Sequence, residues 1–288
     1  MPVAGAPHPL AQAPLAGQTM IIAHRGYRAC YPENTLCAFN ASLGRCAMIE
    51  LDVQLSRDGI PVVFHDYTLE RTSNATSIGP SSRPPSLALG GWALAELLQL
   101  DIGSWFLRDD PFGTIRSQLI SKTALQPLMP QRIMTLEQTL YWASVQQMPL
   151  NVELKAANEE AAALVGATIR LIRQTKTTSL ILVSSFHHDC LRLCRQLAPE
   201  IATAALQEKS HPQDVSGYLK ALGVSAYHPA DAITDRPLIN TIRAAGMAIN
   251  VFTVNGQARQ TQLANWGATG LFTDYPQQPF LVSQTIDY

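Results

Sequence analysis

A chain of 288 residues with 47% hydrophobic and 15% charged content can bury a large core, as one big α/β domain or as two smaller ones. Its 21 basic and 22 acidic residues leave a formal net charge of -1 with no basic run, so a nucleic-acid or anionic-membrane surface has no electrostatic support. Five cysteines without a CxxC pair argue against a disulfide framework or a structural zinc site and for buried reduced thiols.

Residues 1–18 are rich in Ala and Pro and lack Lys and Arg, which predicts a disordered N-terminal extension rather than a secretory signal. No apolar run is long enough for stable membrane insertion, so a cytoplasmic location is expected. A single domain is expected over 19–288. Its first strand, Ile21-Ile22-Ala23, ends in His24-Arg25-Gly26. Pro32-Glu33-Asn34-Thr35 then opens a helical pattern through Leu36, Phe39 and Leu43, with Asn34 or Thr35 able to cap its first turn.

The run from Met48 to Leu55 alternates with period 2, placing Glu50 and Asp52 on one face and Ile49, Leu51 and Val53 on the other. Ser56-Arg57-Asp58-Gly59 carries a turn signal, and the run from Ile60 to Asp66 returns antiparallel, because so short a gap cannot hold a parallel crossover. A two-residue turn predicts His65 opposite Asp52. A four-residue loop predicts His65 opposite Glu50.

From about 67 to 130, Pro, Ser and Gly accumulate around one short helical patch at 94–98, which predicts an insertion. Regular alternation resumes with helices expected at about 135–147, 157–175, 187–197, 212–222, 236–245 and 257–266. Strands are expected at 150–155, 180–185, 201–205, 224–227, 248–253 and 270–273. With 60–66 set aside as a hairpin arm, eight strands remain, and eight βα units point to a TIM (β/α)8 barrel with a small insertion after strand two. A doubly wound open sheet lacks support because no glycine-rich loop follows the first strand.

Barrel sites sit at the C-terminal ends of the strands. There the sequence places His24, Arg25, Glu50, Asp52, Glu153 and Lys155, with His65 carried back by the hairpin. Three converging carboxylates repel one another unless neutralised, and an all-oxygen set calls for a hard divalent cation, Mg2+ or Ca2+, at Glu50, Asp52 and Glu153. His24 and His65 flanking a metal-bound phosphate supply a general base and a general acid near neutral pH. Arg25 and Lys155 suit the non-bridging phosphate oxygens, plain salt bridges being the alternative. Glu33 is either a first-turn acid favoured by the helix dipole or a partner for Arg25. His187, His188, His211 and His228 have no partner by spacing and read as surface or satisfied core groups. Trp92, Trp105, Phe106 and Phe252 read as packing, one of them a possible pocket wall.

At these residues the chain resembles the glycerophosphodiester phosphodiesterase family, most of all its bacterial cytosolic type. The similarity is carried by His24-Arg25-Gly26, Pro32-Glu33-Asn34-Thr35, Glu50-x-Asp52, Asp58-Gly59, His65-Asp66, Leu69-x-Arg71-Thr72 and Glu153-x-Lys155. It continues through Gly103-Ser104-Trp105, Ser184-Ser185-Phe186, Thr253-Val254-Asn255 and Phe272-Thr273-Asp274. The resemblance implies a TIM barrel and one divalent metal at Glu50, Asp52 and Glu153. It also implies acid/base roles for His24 and His65, with Arg25 and Lys155 at the phosphate. The implied reaction is hydrolysis of a small-molecule glycerophosphodiester, such as glycerophosphocholine or glycerophosphoethanolamine, to glycerol 3-phosphate and an alcohol. The neighbouring glycerol hydroxyl is implied to attack phosphorus first, giving a cyclic phosphate that water opens. Three positions depart from the family pattern: Ala75 after Asn74 in place of glycine, Met134 before Thr135-Leu136 in place of proline, and Phe252 in place of Trp or Tyr. A lysophospholipase D with an added acyl groove and a barrel that binds diesters without cleaving them are the alternatives. The oligomeric state is left open.

Overall fold

The computed structural model describes residues 19–78, 86–156 and 160–276. The expected extension at 1–18, the start of the helix expected at 157–175 and the Gly79–Pro85 run of the insertion lie outside the described residues.

Among the described residues, nine strands form one sheet: β1 (Met20–Ala23), β2 (Met48–Leu55), β3 (Pro61–Val63), β4 (Leu150–Leu154), β5 (Ile181–Ser185), β6 (Ala202–Gln207), β7 (Ala226–Pro229), β8 (Ala248–Val251) and β9 (Gly270–Thr273). The order β1-β9-β8-β7-β6-β5-β4-β2 closes through a parallel β1–β2 pairing, giving the expected eight-stranded parallel barrel. The short β3 lies outside the ring, antiparallel to the upper half of β2. After β1 comes α1 (Leu36–Ser42), and the later strands alternate with α5 (Leu136–Gln146), α6 (Ala161–Gln174), α7 (His188–Leu197), α8 (Val215–Leu222), α9 (Arg236–Ala244) and α10 (Gln257–Trp266).

Local chemistry sets these boundaries. Thr35, rather than Asn34, caps α1 by accepting from the Ala38 N–H, and Thr135 with Gln138 forms a capping box on α5. Thr135 does so after Met134 as it would after proline, and the Met134 carbonyl accepts from the Val63 N–H at 2.8 Å. Outward-facing apolar side chains of the strands pack under the helices, while Ile22, Met48, Leu182, Ala204, Ala226 and Phe272 fill the barrel interior.

Among its described residues the insertion holds three short α-helices, α2 (Leu94–Leu97), α3 (Ser104–Asp109) and α4 (Lys122–Leu125), the first of them at the expected patch. The other two are too short to show a 3.6-residue period, which is why the pattern hides them. Their own core is built on Trp92, Leu97 and Ile102, and Val62 and Phe64 of the hairpin arm pack into it.

The hairpin register differs from both expected ones. Val53 faces Val63 and Leu55 faces Pro61, closing a three-residue loop, Arg57-Asp58-Gly59, between Ser56 and Ile60. Gly59, at φ +77°, supplies the left-handed residue that such a loop requires. This odd register pairs Asp52 with Phe64, whose N–H donates to the Asp52 carbonyl at 3.0 Å, so a continued ladder would turn His65 away from the carboxylates. The chain leaves the ladder after Val63 instead. Gln54 Nε2 lies 2.8, 3.1 and 2.9 Å from the carbonyl oxygens of Phe64, His65 and Asp66, holding the redirected backbone at the mouth.

Candidate active site

The eight residues singled out from the sequence meet at one end of the barrel. Ladder register places Glu50 beside Asn151 and Asp52 beside Glu153. One carboxylate oxygen from each of Glu50, Asp52 and Glu153 lies within 4.8 Å of the others, in a mouth where Glu50 and Asp52 are buried. Burial, followed by the charges of Asp52 and Glu153, pushes the Glu50 carboxyl well above the usual carboxylate range. Burial and Asp52 raise Glu153 as well. For Asp52 burial also pushes upward, but Arg25, His65 and Lys155 hold it below its ordinary value. Glu50 Oε1 and Asp52 Oδ1 are buried without a hydrogen-bond partner among the described residues. Orphaned acceptors on a crowded all-oxygen set fit a hard divalent cation, which would satisfy both and relieve the repulsion.

Two cations reinforce the cluster. The Arg25 N–H donates to Glu50 Oε2 at 2.8 Å, its Nη1 donates to Glu33 Oε1 at 2.8 Å, and its Nε lies 3.2 Å from Asp52 Oδ2. Lys155 Nζ donates to Glu153 Oε1 at 3.1 Å and lies 3.6 Å from Asp52 Oδ1. The backbone is shaped for this. Arg25 and Gly26 both adopt positive φ, 55° and 82°, and a Cβ at Gly26 would sit 2.9 Å from Ala38 atoms, so only glycine fits beside α1. Asn34, also at positive φ, donates from Nδ2 to Asp52 Oδ2 at 2.8 Å.

Each histidine is held by an aspartate that spacing alone leaves without a role. His24 Nδ1 lies 2.7 Å from Asp274 Oδ1 and His65 Nδ1 lies 2.5 Å from Asp66 Oδ1. With Nδ1–H donating to a carboxylate, Nε2 carries the lone pair and is left for a ligand. Burial and the neighbouring Arg25 lower the pKa of His24, so the neutral, proton-accepting form persists below pH 6.5. Asp274, despite burial, is held at about 2 by His24, Arg28 and Asn255.

Glu33 ties these parts together. It precedes the Thr35 cap and lies outside the first turn of α1, so the helix-dipole reading gives way to ion pairing. Arg25, Arg28 and Arg71 all donate to it. Arg28 also reaches Asp274 at 3.3 Å and Arg71 reaches Asp66 at 2.6 Å, so one chain of ion pairs runs from His24 through Glu33 to His65. Against the upward push of burial, Arg25, Arg71 and Arg28 hold Glu33 well below the usual range. The carboxylates of Glu33 and Asp66 are thus already neutralised, unlike the Glu50 cluster.

The mouth opens into a cavity of about 700 Å3. His24, Arg25, Glu50, His65, Glu153 and Lys155 line one side, and Phe186, Leu206, Glu208, Asp231 and Phe252 line the other. Of the aromatic residues, Phe252 is the pocket wall, while Trp92, Trp105 and Phe106 pack in the insertion. His188 and His211 are satisfied at both ring nitrogens, by Tyr218 and Tyr227 and by the Leu206 and Ile233 carbonyls, whereas buried His228 is bonded only at Nε2, by Asn250, among the described residues.

Residues 24–278 match the Glycerophosphoryl diester phosphodiesterase family. The chain belongs to this family. A glycerophosphodiester phosphodiesterase of Bacillus altitudinis is 30% identical over 264 residues, 90% of this chain and 96% of the relative. A phosphodiesterase of Oleispira antarctica, solved with the product sn-glycerol-3-phosphate, has a TM-score of 0.75 at 32% identity, covering 90% of this chain and 94% of that one. A glycerophosphodiester phosphodiesterase from Agrobacterium tumefaciens gives 0.69 at 25% identity, over 90% and 97% of the two chains. The protein is therefore an enzyme of the phosphodiesterase class, and among its described residues no helix is long and apolar enough to cross a membrane.

Proposed function

We propose that this phosphodiesterase hydrolyses glycerophosphodiesters such as glycerophosphocholine or glycerophosphoethanolamine to glycerol 3-phosphate and an alcohol. One divalent cation, Mg2+ or Ca2+, would be held by Glu50, Asp52 and Glu153. The observation that carries this reading is the unpartnered Glu50 Oε1 in a cavity that also receives both histidines, with ligand oxygens of Glu50, Asp52 and Glu153 within 4.8 Å of one another. The glycerol 3-phosphate bound to the Oleispira antarctica enzyme supports the choice of product.

A bound divalent cation supplies positive charge against which phosphate oxygens are polarised. Arg25 and Lys155 extend that positive face and hold the non-bridging oxygens. His24, neutral and oriented by Asp274, takes the proton of the attacking hydroxyl at Nε2. His65, held at Nδ1 by Asp66 and entering the step with a second proton at Nε2, delivers that Nε2 proton to the oxygen of the leaving alcohol and is left neutral. With a glycerol hydroxyl as first attacker, the same pair exchanges roles for the water that follows. Glu33 keeps Arg25 from collapsing fully onto the metal carboxylates. The protein acts on a small molecule in the cytoplasm, a placement supported by five buried, unpaired cysteines.

Release of glycerol 3-phosphate from glycerophosphocholine tests the reading. Activity falls to background in EDTA and returns with Mg2+ or Ca2+. A protein that releases no glycerol 3-phosphate under any metal condition would not be this enzyme.

A further inference from the structure

The two sides of the cavity carry opposite chemistry, and the far side is unused by the reaction proposed above. Phe186 is 40% exposed and meets the ring of Phe252 edge-on, at 5.8 Å between centroids and 90° between planes. An exposed phenyl ring on a pocket wall is a surface awaiting a ligand. Beside it stand two carboxylates. Asp231 is shared with Arg259, whose Nε lies 2.7 Å from Oδ1, and Glu208 makes no ion pair among the described residues. Two acids against one guanidinium leave this wall negative, across from a wall that a divalent cation, Arg25 and Lys155 make attractive to phosphate.

These carboxylates stand on fixed backbone. The Ala230 N–H donates to the Gln207 carbonyl at 2.8 Å, joining the ends of β6 and β7. His188 Nε2 donates to the Leu206 carbonyl at 3.0 Å while Nδ1 accepts from Tyr218. His211 Nε2 donates to the Ile233 carbonyl at 2.7 Å while Nδ1 accepts from Tyr227. The loop bearing Glu208 and the turn bearing Asp231 are thereby tied to the barrel and to each other.

We infer that this half of the cavity is a subsite for a positively charged amino-alcohol head group, with Phe186 and Phe252 against its apolar face and Glu208 and Asp231 as counter-charges. Aromatic faces attract ammonium groups, and carboxylates nearby add a charge interaction that is strengthened in a recess. A neutral polyol gains neither, and an acyl chain would have to lie against two acids. The inference rests on the phosphodiesterase reading and names its preferred substrates.

The test is kcat/KM of the full-length, metal-supplied enzyme on diesters sharing the glycerol 3-phosphate half, with choline or glycerol as the second alcohol. Choline is expected to be preferred about tenfold. Glu208→Lys removes that preference and Glu208→Asp largely restores it, while Phe186→Leu lowers it about threefold. Equal turnover of both diesters, or a Glu208→Lys protein whose preference is unchanged, overturns the subsite and leaves the phosphodiesterase reading standing. A Phe186→Leu protein that slows lysophosphatidylcholine turnover but leaves the choline preference unchanged assigns the apolar wall to an acyl chain and overturns it too. No turnover of any diester sinks both.

Discussion

The barrel treats half-buried His24 and buried His228 in two ways. His24, at the end of β1, faces Asp274, while His228, inside β7, faces Asn250 Nδ2 at 3.0 Å and the ring of Phe272 at 5.0 Å. Without a carboxylate beside it, His228 is pushed down by burial to about pH 3, and its Nδ1 has no partner among the described residues. It is a neutral packing group. His24 sits where a charge can be borne, because Asp274, Arg28 and Glu33 form a linked array of opposite charges around it. The same contrast separates the halves of the barrel. Strands β1, β2 and β4 crowd charges together, since each costs less when paired. Strands β6 to β8 line the interior with Ala202, Ala204, Ala226 and Ala248.

The sharpest way to break this comparison is His24→Ala, which should lower kcat by roughly 10²–10⁴ if the imidazole moves protons. Near-normal steady-state turnover would remove it from the mechanism. Next in size, Asp274→Asn leaves the ring in place but without its orienting charge, and a misaligned reactive group costs about 10²-fold. The loss should appear in kcat with KM within a few-fold of the parent. An equal loss in KM alone would mean that Asp274 serves binding.

His228 sharpens the comparison from the other side. Its folded pKa of about 3 lies below the 6.5 of an unfolded histidine, so the unfolded chain binds the proton first as pH falls. The stability contributed by the neutral ring is present above 6.5 and is lost progressively toward 3. Denaturant unfolding should show a loss of about 2 kcal/mol between pH 7 and pH 5 from this group. His228→Gln should flatten that slope, and an unchanged slope would assign the acid sensitivity elsewhere.

Much of this arrangement is legible in sequence because barrel strands end in their chemistry. The period-2 alternation of Glu50 and Asp52 and the spacing of Glu153 and Lys155 survive folding, as parallel ladders keep neighbours in step. Long-range partners are not legible that way. Asp274 reaches His24 across 250 residues, and only barrel closure between β9 and β1 brings them together. Asp66 is adjacent to His65 in the chain and stands in the recognised motif, yet the odd hairpin register and the grip of Gln54 decide where the pair points. Glu33 shows its reach toward Arg25 in sequence, but its three-arginine hub depends on Arg28 and Arg71 converging from separate loops.

The central claim is that Glu50, Asp52 and Glu153 form one divalent-cation site. Calorimetric titration of chelator-treated protein with Mg2+ and Ca2+ tests it most directly, because it reads the site without substrate. The account predicts one site per chain and its loss in a folded Asp52→Asn protein. Absence of binding by the parent chain, or unchanged binding by Asp52→Asn, would contradict it.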